Sequence, residues 1–538
     1  GLDEKLLASG VYRYKRTDAL ASDEIVFYRD GKTASVVFRR DPHGLGVLAT
    51  NGKPDASIQL EEGKEASLDE STMTVAAALP LAYLPNARRV ANIGMGSGQT
   101  AHVLLGDPDL EVVDTIEIET EMVEASRNYM SAVWRAYQDP RSRIHIEDAK
   151  TFFSLNNYTY DIIIAEPSNP WVSGVSSLFS REFYAAVTDY LADDGVFVQW
   201  IQMYEFTDEL AISILKALSE NFDDFTIYLS NSSDVILVAR KNGAMGEPDW
   251  QSVLGGDLGA SLARVGIHNE TDLDIRRSAT KANILPFLTD TPVLANSDYF
   301  PYVDLNAGRA LFKGSASGMF ASWMIAPLPV LEMLNDSSPR FSEVSSGHPL
   351  QRAELVDSSA WLYDKMTRTG MADPTETDVV VEPLFVYSAD WLIASQETCS
   401  AEKNPQRWSD AATDLLSFTL AHLEPDQAAT MVDAVVRSAC QLQDDPEVQA
   451  WLSLYNAVAR RDGGGMYVTA RAILENAPDL DDHRQGYAIG AAMLGALAAG
   501  EARLAYDVWS EFGTALYEER KLPAYMKLIV SISARFDD

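Results

Sequence analysis

The chain has 538 residues and a formal net charge of −36, because 79 Asp and Glu outnumber 43 Lys and Arg. Its 46% hydrophobic and 23% charged residues are typical of a folded globular protein, with length for about three domains. The negative charge repels nucleic-acid phosphates and anionic membrane surfaces, so we predict no nucleic-acid partner. A polycationic substrate fits this charge.

The cysteines and histidines show no metal-ligand pattern. Cys399 and Cys440 form no C-x-x-C pair, and the seven histidines lack a spacing such as H-E-x-x-H. We therefore predict no metal site.

No membrane span is predicted. The longest uncharged stretch, residues 314–331, contains Pro327 and Pro329 with several Ser and Gly, which predicts a loop and a short helix. The chain opens Gly-Leu-Asp-Glu, without an initiator Met or a signal peptide. The predicted location is the cytoplasm, or a membrane reached through an upstream segment that this sequence lacks.

Short β segments come first along the chain, between residues 25 and 57, and Asp-Gly and Asp-Pro-His-Gly turns separate them. We predict a small antiparallel β module within residues 1–68. Strand and helix patterns then alternate, which predicts a parallel sheet covered by helices in a domain at residues 69–313. The last two strands, at 225–230 and 234–240, predict the antiparallel hairpin that often closes such sheets.

Helices are predicted between these strands, at residues 69–84, 99–105, 121–137, 180–191 and 208–221.

Beyond residue 313 the pattern is mostly helical, which predicts an all-α domain at 314–538. Ala470 and Leu474 recur 35 residues later as Ala505 and Trp509, a period typical of tetratricopeptide-like helical hairpins. An α-helical domain whose alanine spacing is coincidental explains the same pattern. This half carries no catalytic pattern.

A glycine-rich loop lies between the first strand of the parallel sheet and the helix that follows, where glycines let the backbone approach a nucleotide. The predicted loop residues are Gly94, Gly96, Ser97 and Gly98. The next strand ends in Glu117, whose carboxylate can accept hydrogen bonds from both ribose hydroxyls. One strand later, Asp148 and Ala149 stand where an adenine amine could donate. These strand ends predict an adenosine pocket, for NAD or for S-adenosylmethionine.

The fourth strand end carries a more specific pattern. Residues 160–171 read Tyr-Asp-Ile-Ile-Ile-Ala-Glu-Pro-Ser-Asn-Pro-Trp, and residues 176–184 read Ser-Ser-Leu-Phe-Ser-Arg-Glu-Phe-Tyr. This run resembles the spermidine synthase family of aminopropyltransferases, which carries YDVIIxDSSDP, ESLFxxEFY and a GGGDGG loop. It is more similar still to a spermidine-synthase-like branch with G-x-G-S-G and E-P-S-N-P-W. The resemblance covers residues 25–309.

The resemblance implies a Rossmann-like, methyltransferase-type fold and a role in polyamine biosynthesis. Decarboxylated S-adenosylmethionine would give its aminopropyl group to an amine and leave as methylthioadenosine. Glu166 stands where the family has the Asp that serves as general base and removes a proton from the attacking amine, and its extra methylene moves the carboxylate by up to about 1.5 Å. Tyr204, just after the fifth strand, is the second catalytic candidate, and with Glu205 and residues 296–304 it would close the pocket. Relatives commonly dimerise, so the resemblance also implies a homodimer.

Three positions depart from the family pattern on the acceptor side of the site. Ser97 replaces the Asp of GGGDGG, Asn169 replaces the second Asp of DSSDP, and Met73 replaces the Gln of a Y-Q-E run. Trp171 is a further candidate wall of this pocket. Each lost ion pair would be worth about 4 kcal/mol before desolvation, so we expect weak binding of an ordinary diamine.

Other reactions stay open at this point. The amine or carboxylate of the sulfonium substrate could itself attack the carbon next to sulfur, giving a ring and methylthioadenosine with no acceptor. Because Ser97 carries no charge that would repel an α-carboxylate, the donor could be S-adenosylmethionine or its decarboxylated form. Methyl transfer uses the same fold. A non-enzymatic sensor, whose helical half binds a protein partner, is the last alternative.

Overall fold

The computed structural model divides into two compact units, one with residues up to Lys281 and Val293–Ser317, the other with Ala282–Pro292 and residues from Gly318. The predicted three-domain boundaries stay a prediction. The structure describes residues 22–172, 174–335, 337, 340–345, 348–368, 379–477, 480–518 and 520–535.

A four-stranded antiparallel sheet begins the first unit, with the strands in chain order. The strands are β1 (Glu24–Asp30), β2 (Ser35–Arg40), β3 (Leu45–Thr50) and β4 (Lys53–Gln59). A tight turn at Asn51 and Gly52, both with positive φ, separates β3 from β4. The predicted antiparallel module is therefore confirmed.

The main sheet has eight strands, which are β5 (Arg89–Ile93), β6 (Val112–Glu117), β7 (Ser142–Ile146), β8 (Tyr160–Ala165), β9 (Leu191–Gln202), β10 (Asp224–Leu229), β11 (Asp234–Arg240) and β12 (Arg277–Thr280). Their order across the sheet is β12-β10-β11-β9-β8-β5-β6-β7. β5 to β9 run parallel, and β10 and β11 form an antiparallel hairpin that pairs through β11 with β9. This Rossmann-like sheet confirms the predicted fold class, whereas β12 was not predicted. Chain order reverses beside β5, where such sheets bind ligands.

Helices cover the main sheet. Their bounds are Leu68–Tyr83, Gln99–Leu104, Thr120–Ser126, Arg135–Gln138, Ala149–Leu155, Arg181–Tyr190, Asp208–Ser219, Gly256–Arg264, Glu270–Asp274 and Tyr302–Lys313, with 3-10 helices at Arg127–Tyr129, Val175–Phe179 and Trp250–Ser252. The first of them begins with a capping box between Ser67 and Glu70.

The continuous helix predicted at 121–137 is wrong, because three short elements occupy that segment. The Ser126 hydroxyl donates to the Val123 carbonyl at 3.0 Å, and the Asn128 amide donates to the Ala125 carbonyl at 2.7 Å. Such side chains compete with the helical backbone for its carbonyl groups. The Tyr129 hydroxyl also donates to backbone carbonyls of the small sheet. The segment is therefore shaped by a tertiary contact.

The second unit is helical. Its helices are Lys281–Asp290, Met319–Met324, Val330–Leu334, Gln351–Thr367, Pro383–Thr398, Ser400–Lys403, Pro405–Thr419, Pro425–Ala439, Pro446–Ala459, Gly463–Asn476, Asp482–Ala498, Ala502–Val508, Thr514–Tyr517 and Ala524–Ser533, with 3-10 helices at Phe341–Glu343, Leu420–His422 and Cys440–Asp444. Trp509 begins a π-helix, Trp509–Gly513, rather than lying inside a regular repeat helix. The helical class of this half is confirmed, and the tetratricopeptide-like repeat stays a prediction.

A buried ion pair and a disulfide link distant segments of the helical unit. Glu332 and Arg461 form a buried ion pair with contacts of 3.0 and 2.9 Å. Cys399 and Cys440 form a disulfide across 41 residues, with their Cα atoms 5.7 Å apart. The sequence pattern did not predict this disulfide. The predicted lack of a metal site stays a prediction.

The uncharged stretch at 314–331 contains the short helix Met319–Met324, then a loop, as predicted. Across the described ranges, no helix combines the length and apolar character that crossing a membrane requires. The predicted location stays a prediction.

Candidate active site

The glycine-rich loop passes directly against the end of β8. Gly94 has φ +99°, and a Cβ there would lie 2.5 Å from the carbonyl oxygen of Glu166. Gly98, with φ +86°, is the N-cap of the helix Gln99–Leu104. Both positions therefore need glycine, one for close approach and both for a left-handed backbone. The loop residue Gly96 also has a positive φ.

Glu117 is buried beside this loop. Its two carboxylate oxygens accept hydrogen bonds from the backbone N–H of Met95 at 3.0 Å and of Glu119 at 2.9 Å. Burial raises the pKa of the carboxyl group, and these N–H donors act in the opposite direction. The carboxylate is thus fixed in orientation, and its role towards a ribose stays a prediction.

Asp148 has a structural role that the sequence pattern did not predict. It is the N-cap of Ala149–Leu155, and its Oδ1 accepts from the Thr151 backbone N–H at 2.9 Å. Ala149 is buried. The contact of Asp148 with adenine stays a prediction, because the second carboxylate oxygen is not needed for the cap.

Two apolar side chains near these acids were missed. Ile118 and Ile146 are 49% and 46% exposed, at the ends of β6 and β7. Exposed isoleucines beside a buried carboxylate suit the flat faces of a purine ring. The apolar residue directly after Glu117 was the one feature of the sequence that could have indicated these side chains.

Glu166 follows β8 and is partly buried. Burial raises the pKa of its carboxyl group to about 7, and a hydrogen bond from the Thr100 hydroxyl acts against that rise. A carboxyl group that titrates near neutral pH is suited to act as a general base.

Ser97 and Met73, two of the three departures from the family pattern, contact each other. The Ser97 hydroxyl lies 3.1 Å from the Met73 sulfur, and it accepts from the Gln99 backbone N–H at 3.3 Å. Both side chains are buried. This part of the loop is therefore uncharged.

Asn169 and Trp171 lie in the loop after Glu166. Asn169 is fully buried, and neither polar atom of its amide has a hydrogen-bond partner among the described residues. Trp171 is partly buried. Their contact with a substrate stays a prediction.

The segment at 296–304 packs on this same loop region. The Asn296 amide donates to the carbonyls of Ser176 and Phe179, at 3.2 and 3.0 Å, and Asp304 accepts from the Ser176 hydroxyl at 3.2 Å. Tyr204 forms an antiparallel bridge with Ala316 just beyond β9. The catalytic role of Tyr204 stays a prediction.

A charged group from the small sheet also reaches the loop after Glu166, and it was missed. Lys53 Nζ lies 2.5 Å from Asp55 Oδ1 and 3.0 Å from the Ser168 hydroxyl, which donates to Asp55 at 2.9 Å. Lys53 and Asp55 stand two residues apart on β4, so they share a face. That spacing of opposite charges was the only signal in the sequence.

A glycine-rich loop and acidic strand ends at the carboxyl edge of a Rossmann-like sheet are features that the α/β proteins with this type of sheet share. Residues 72–232 match the family described as spermine/spermidine synthase domain. The predicted resemblance to that family is confirmed.

Curated relatives agree with this match. The chain is 32% identical over 151 residues to a polyamine aminopropyltransferase of Caldicellulosiruptor bescii, covering 28% of this chain and 54% of that protein. It is 31% identical over 171 residues to one of Thermococcus onnurineus, covering 32% and 58%. These relatives are enzymes, and the chain spans little more than half of their length.

Solved structures with a similar chain course include spermidine synthases. One, in complex with the transition-state analogue AdoDATO, has 21% sequence identity and a TM-score of 0.39, covering 45% of this chain and 88% of that one. The spermidine synthase of Thermotoga maritima has 20% identity and a TM-score of 0.35 over the same shares.

Proposed function

We propose that this protein is a spermidine-synthase-like aminopropyltransferase that acts on decarboxylated S-adenosylmethionine or S-adenosylmethionine and releases methylthioadenosine. The observation that carries the proposal is the position of Glu166 directly beside the glycine loop, within the segment that matches the family, where burial raises the pKa of its carboxyl group to about 7. The relatives give no support to methyl transfer or to a reaction without an acceptor.

In the proposed reaction, Glu117 and the loop at Gly94–Gly98 hold the nucleoside, with Asp148 at the adenine. Glu166 takes a proton from the ammonium group of the acceptor. The nitrogen lone pair then forms a bond to the carbon next to sulfur, and the carbon–sulfur bond breaks with its electron pair left on sulfur. Methylthioadenosine leaves, and the acceptor carries the transferred chain. An amine is the proposed acceptor.

Mass spectrometry of the nucleoside product tests this proposal. The protein is incubated with either sulfonium compound, with and without putrescine or spermidine. Methylthioadenosine that forms only with an amine supports aminopropyl transfer. Its formation without an amine, or the formation of S-adenosylhomocysteine, would overturn the proposal.

Glu166→Gln is the matched variant for this assay. We expect product formation to be lost while nucleoside affinity is kept, since the amide has the same shape but does not take the proton. An equal loss of affinity would mean that Glu166 builds the pocket rather than acting as the base.

A further inference from the structure

Three polar side chains share one face of the main sheet at the ends of β9 and β11. Gln202 and Asp234 are direct partners in the antiparallel pairing of these strands. Side chains of such partners lie about 5 Å apart. Trp200 is two residues before Gln202, so it projects from the same face. The three side chains therefore form one local group.

Only one side of the Asp234 carboxylate is occupied. Oδ2 accepts from the Thr72 hydroxyl at 2.9 Å and from the Asn231 amide at 3.0 Å. Oδ1 is buried and has no hydrogen-bond partner in the part of the chain that the structure describes. The carboxylate is thus held in one orientation with an acceptor atom left over.

One of its neighbours has unused polar atoms as well. Gln202 is fully buried, and neither atom of its amide is hydrogen-bonded to a described residue. The indole N–H of Trp200 points towards the same carboxylate, and its hydrogen bond helps to lower the pKa of Asp234. Buried polar atoms are almost always hydrogen-bonded in folded proteins. An acceptor oxygen from Asp234 and another from Gln202 therefore point to a ligand that donates hydrogen bonds.

The local charge is negative. Asp69, at the start of the helix Leu68–Tyr83, accepts from the Ser57 hydroxyl at 2.6 Å. The pKa of Asp69 is raised to about 6, mainly by burial and also by the carboxylates of Asp234 and Asp55, while the Ser57 hydrogen bond and the Lys53 ammonium act in the opposite direction. Three carboxylates thus stand close to one ammonium group. This excess favours a cation.

From this geometry we propose that Asp234 and Gln202 bind a protonated amino group of the substrate, with Asp69 adding to the attraction. The inference rests on the proposed function and deepens it, because it names residues that replace the two aspartates absent at Ser97 and Asn169. The replacement comes from other elements of the fold. The ammonium donates hydrogen bonds to Asp234 Oδ1 and Gln202 Oε1, and the Trp200 ring lies beside its methylene chain.

Two substrates could supply this ammonium group, the amine acceptor and the aminopropyl arm of the donor. Three ligands distinguish them in calorimetric binding experiments: putrescine, decarboxylated S-adenosylmethionine, and methylthioadenosine, which lacks the ammonium group. We expect Asp234→Asn to weaken one of the two ammonium ligands roughly 10- to 100-fold, the range for hydrogen bonds to charged groups. Methylthioadenosine should bind as before.

Several outcomes would overturn the site. One is unchanged binding of both ammonium ligands, and another is an equal loss for methylthioadenosine, which would indicate a damaged pocket. A native protein that binds neither ammonium ligand would also exclude the site. Asp193→Asn is the matched control, because it removes the same charge from a fully exposed side chain.

Gln202→Met tests the site without a change of charge. We expect it to weaken the same ligand as Asp234→Asn, and it carries the test if the thermal melt shows that Asp234→Asn does not fold. The site and the proposed reaction can also fail separately. If ammonium ligands bind in a way that depends on Asp234 but no methylthioadenosine forms, only the proposed reaction is refuted. If the native protein turns over and both Asp234→Asn and Gln202→Met bind the ammonium ligands as the native protein does, only the proposed site is refuted.

Discussion

Replacing Glu166 with Gln should change how stability depends on pH. Burial raises the pKa of Glu166 from 4.5 to about 7 in the folded protein. Between these values the folded chain holds a proton that the unfolded chain has lost, so the free energy of unfolding falls as pH rises. The shift corresponds to about 3 kcal/mol, at 1.36 kcal/mol for each pKa unit. The loss is complete above about pH 7 and absent below pH 4.5.

Glutamine does not ionise, so the variant escapes this loss. We expect Glu166→Gln and the native protein to be similarly stable near pH 4.5, and the variant to be more stable by about 3 kcal/mol at pH 8. Urea unfolding of both proteins at several pH values measures the difference, in which contributions from all other titrating groups cancel. The variant should gain stability and lose turnover, because the ionised carboxylate destabilises the folded protein but is needed for the reaction.

Glu111→Gln is the control for this prediction, because that side chain is 67% exposed. Its stability relative to the native protein should hardly change with pH. A stability difference for Glu166→Gln that stays constant from pH 4.5 to 8 would refute the reasoning, because it would mean that the carboxylate is not desolvated in the folded protein.

Three further predictions concern other residues. Asp148→Ser keeps a good helix N-cap, so we expect unchanged stability but weaker nucleoside binding in calorimetry; unchanged binding would limit Asp148 to capping. Reducing the Cys399–Cys440 disulfide should lower the unfolding free energy of the helical unit by about 4 kcal/mol, from the entropy of a 41-residue loop. Two free thiols in the native protein would contradict that. Glu332→Ala leaves a buried arginine unpaired and should cost about 3–5 kcal/mol in urea unfolding, against about 1 kcal/mol or less for the exposed Glu475→Ala. Equal losses would contradict it.

Local patterns were enough to predict most of the first unit. Apolar runs separated by turn residues marked the strands, including the closing hairpin at β10 and β11. The glycine loop and Glu117 were placed together correctly, because parallel strands bring their carboxyl ends to one edge of the sheet. The structure adds the close approach of Gly94 to Glu166, which no spacing in the sequence reveals.

Contacts between distant segments explain what was missed. The segment after Thr120 breaks into short elements partly because the Tyr129 hydroxyl bonds to the small sheet. Lys53 and Ser168 are 115 residues apart, and Thr72 and Asp234 are 162 apart. Each pair joins different elements, so neither a periodic pattern nor a short motif could have indicated it. The disulfide was missed for the same reason.

The positions of the charges separate the proposed binding of an ammonium group from the proposed removal of a proton. Burial, rather than a neighbouring carboxylate, is what raises the pKa of Glu166, and both Ser97 in the glycine loop and Met73 on the helix Leu68–Tyr83 are uncharged. The carboxylates instead gather at Asp69 and Asp234. A substrate bound as proposed would have one ammonium group held at Asp234, while the reacting nitrogen gives its proton to a base in a neutral environment. Loss of the two family aspartates would then keep Glu166 away from acids that would raise its pKa further, and so keep it able to accept a proton near neutral pH.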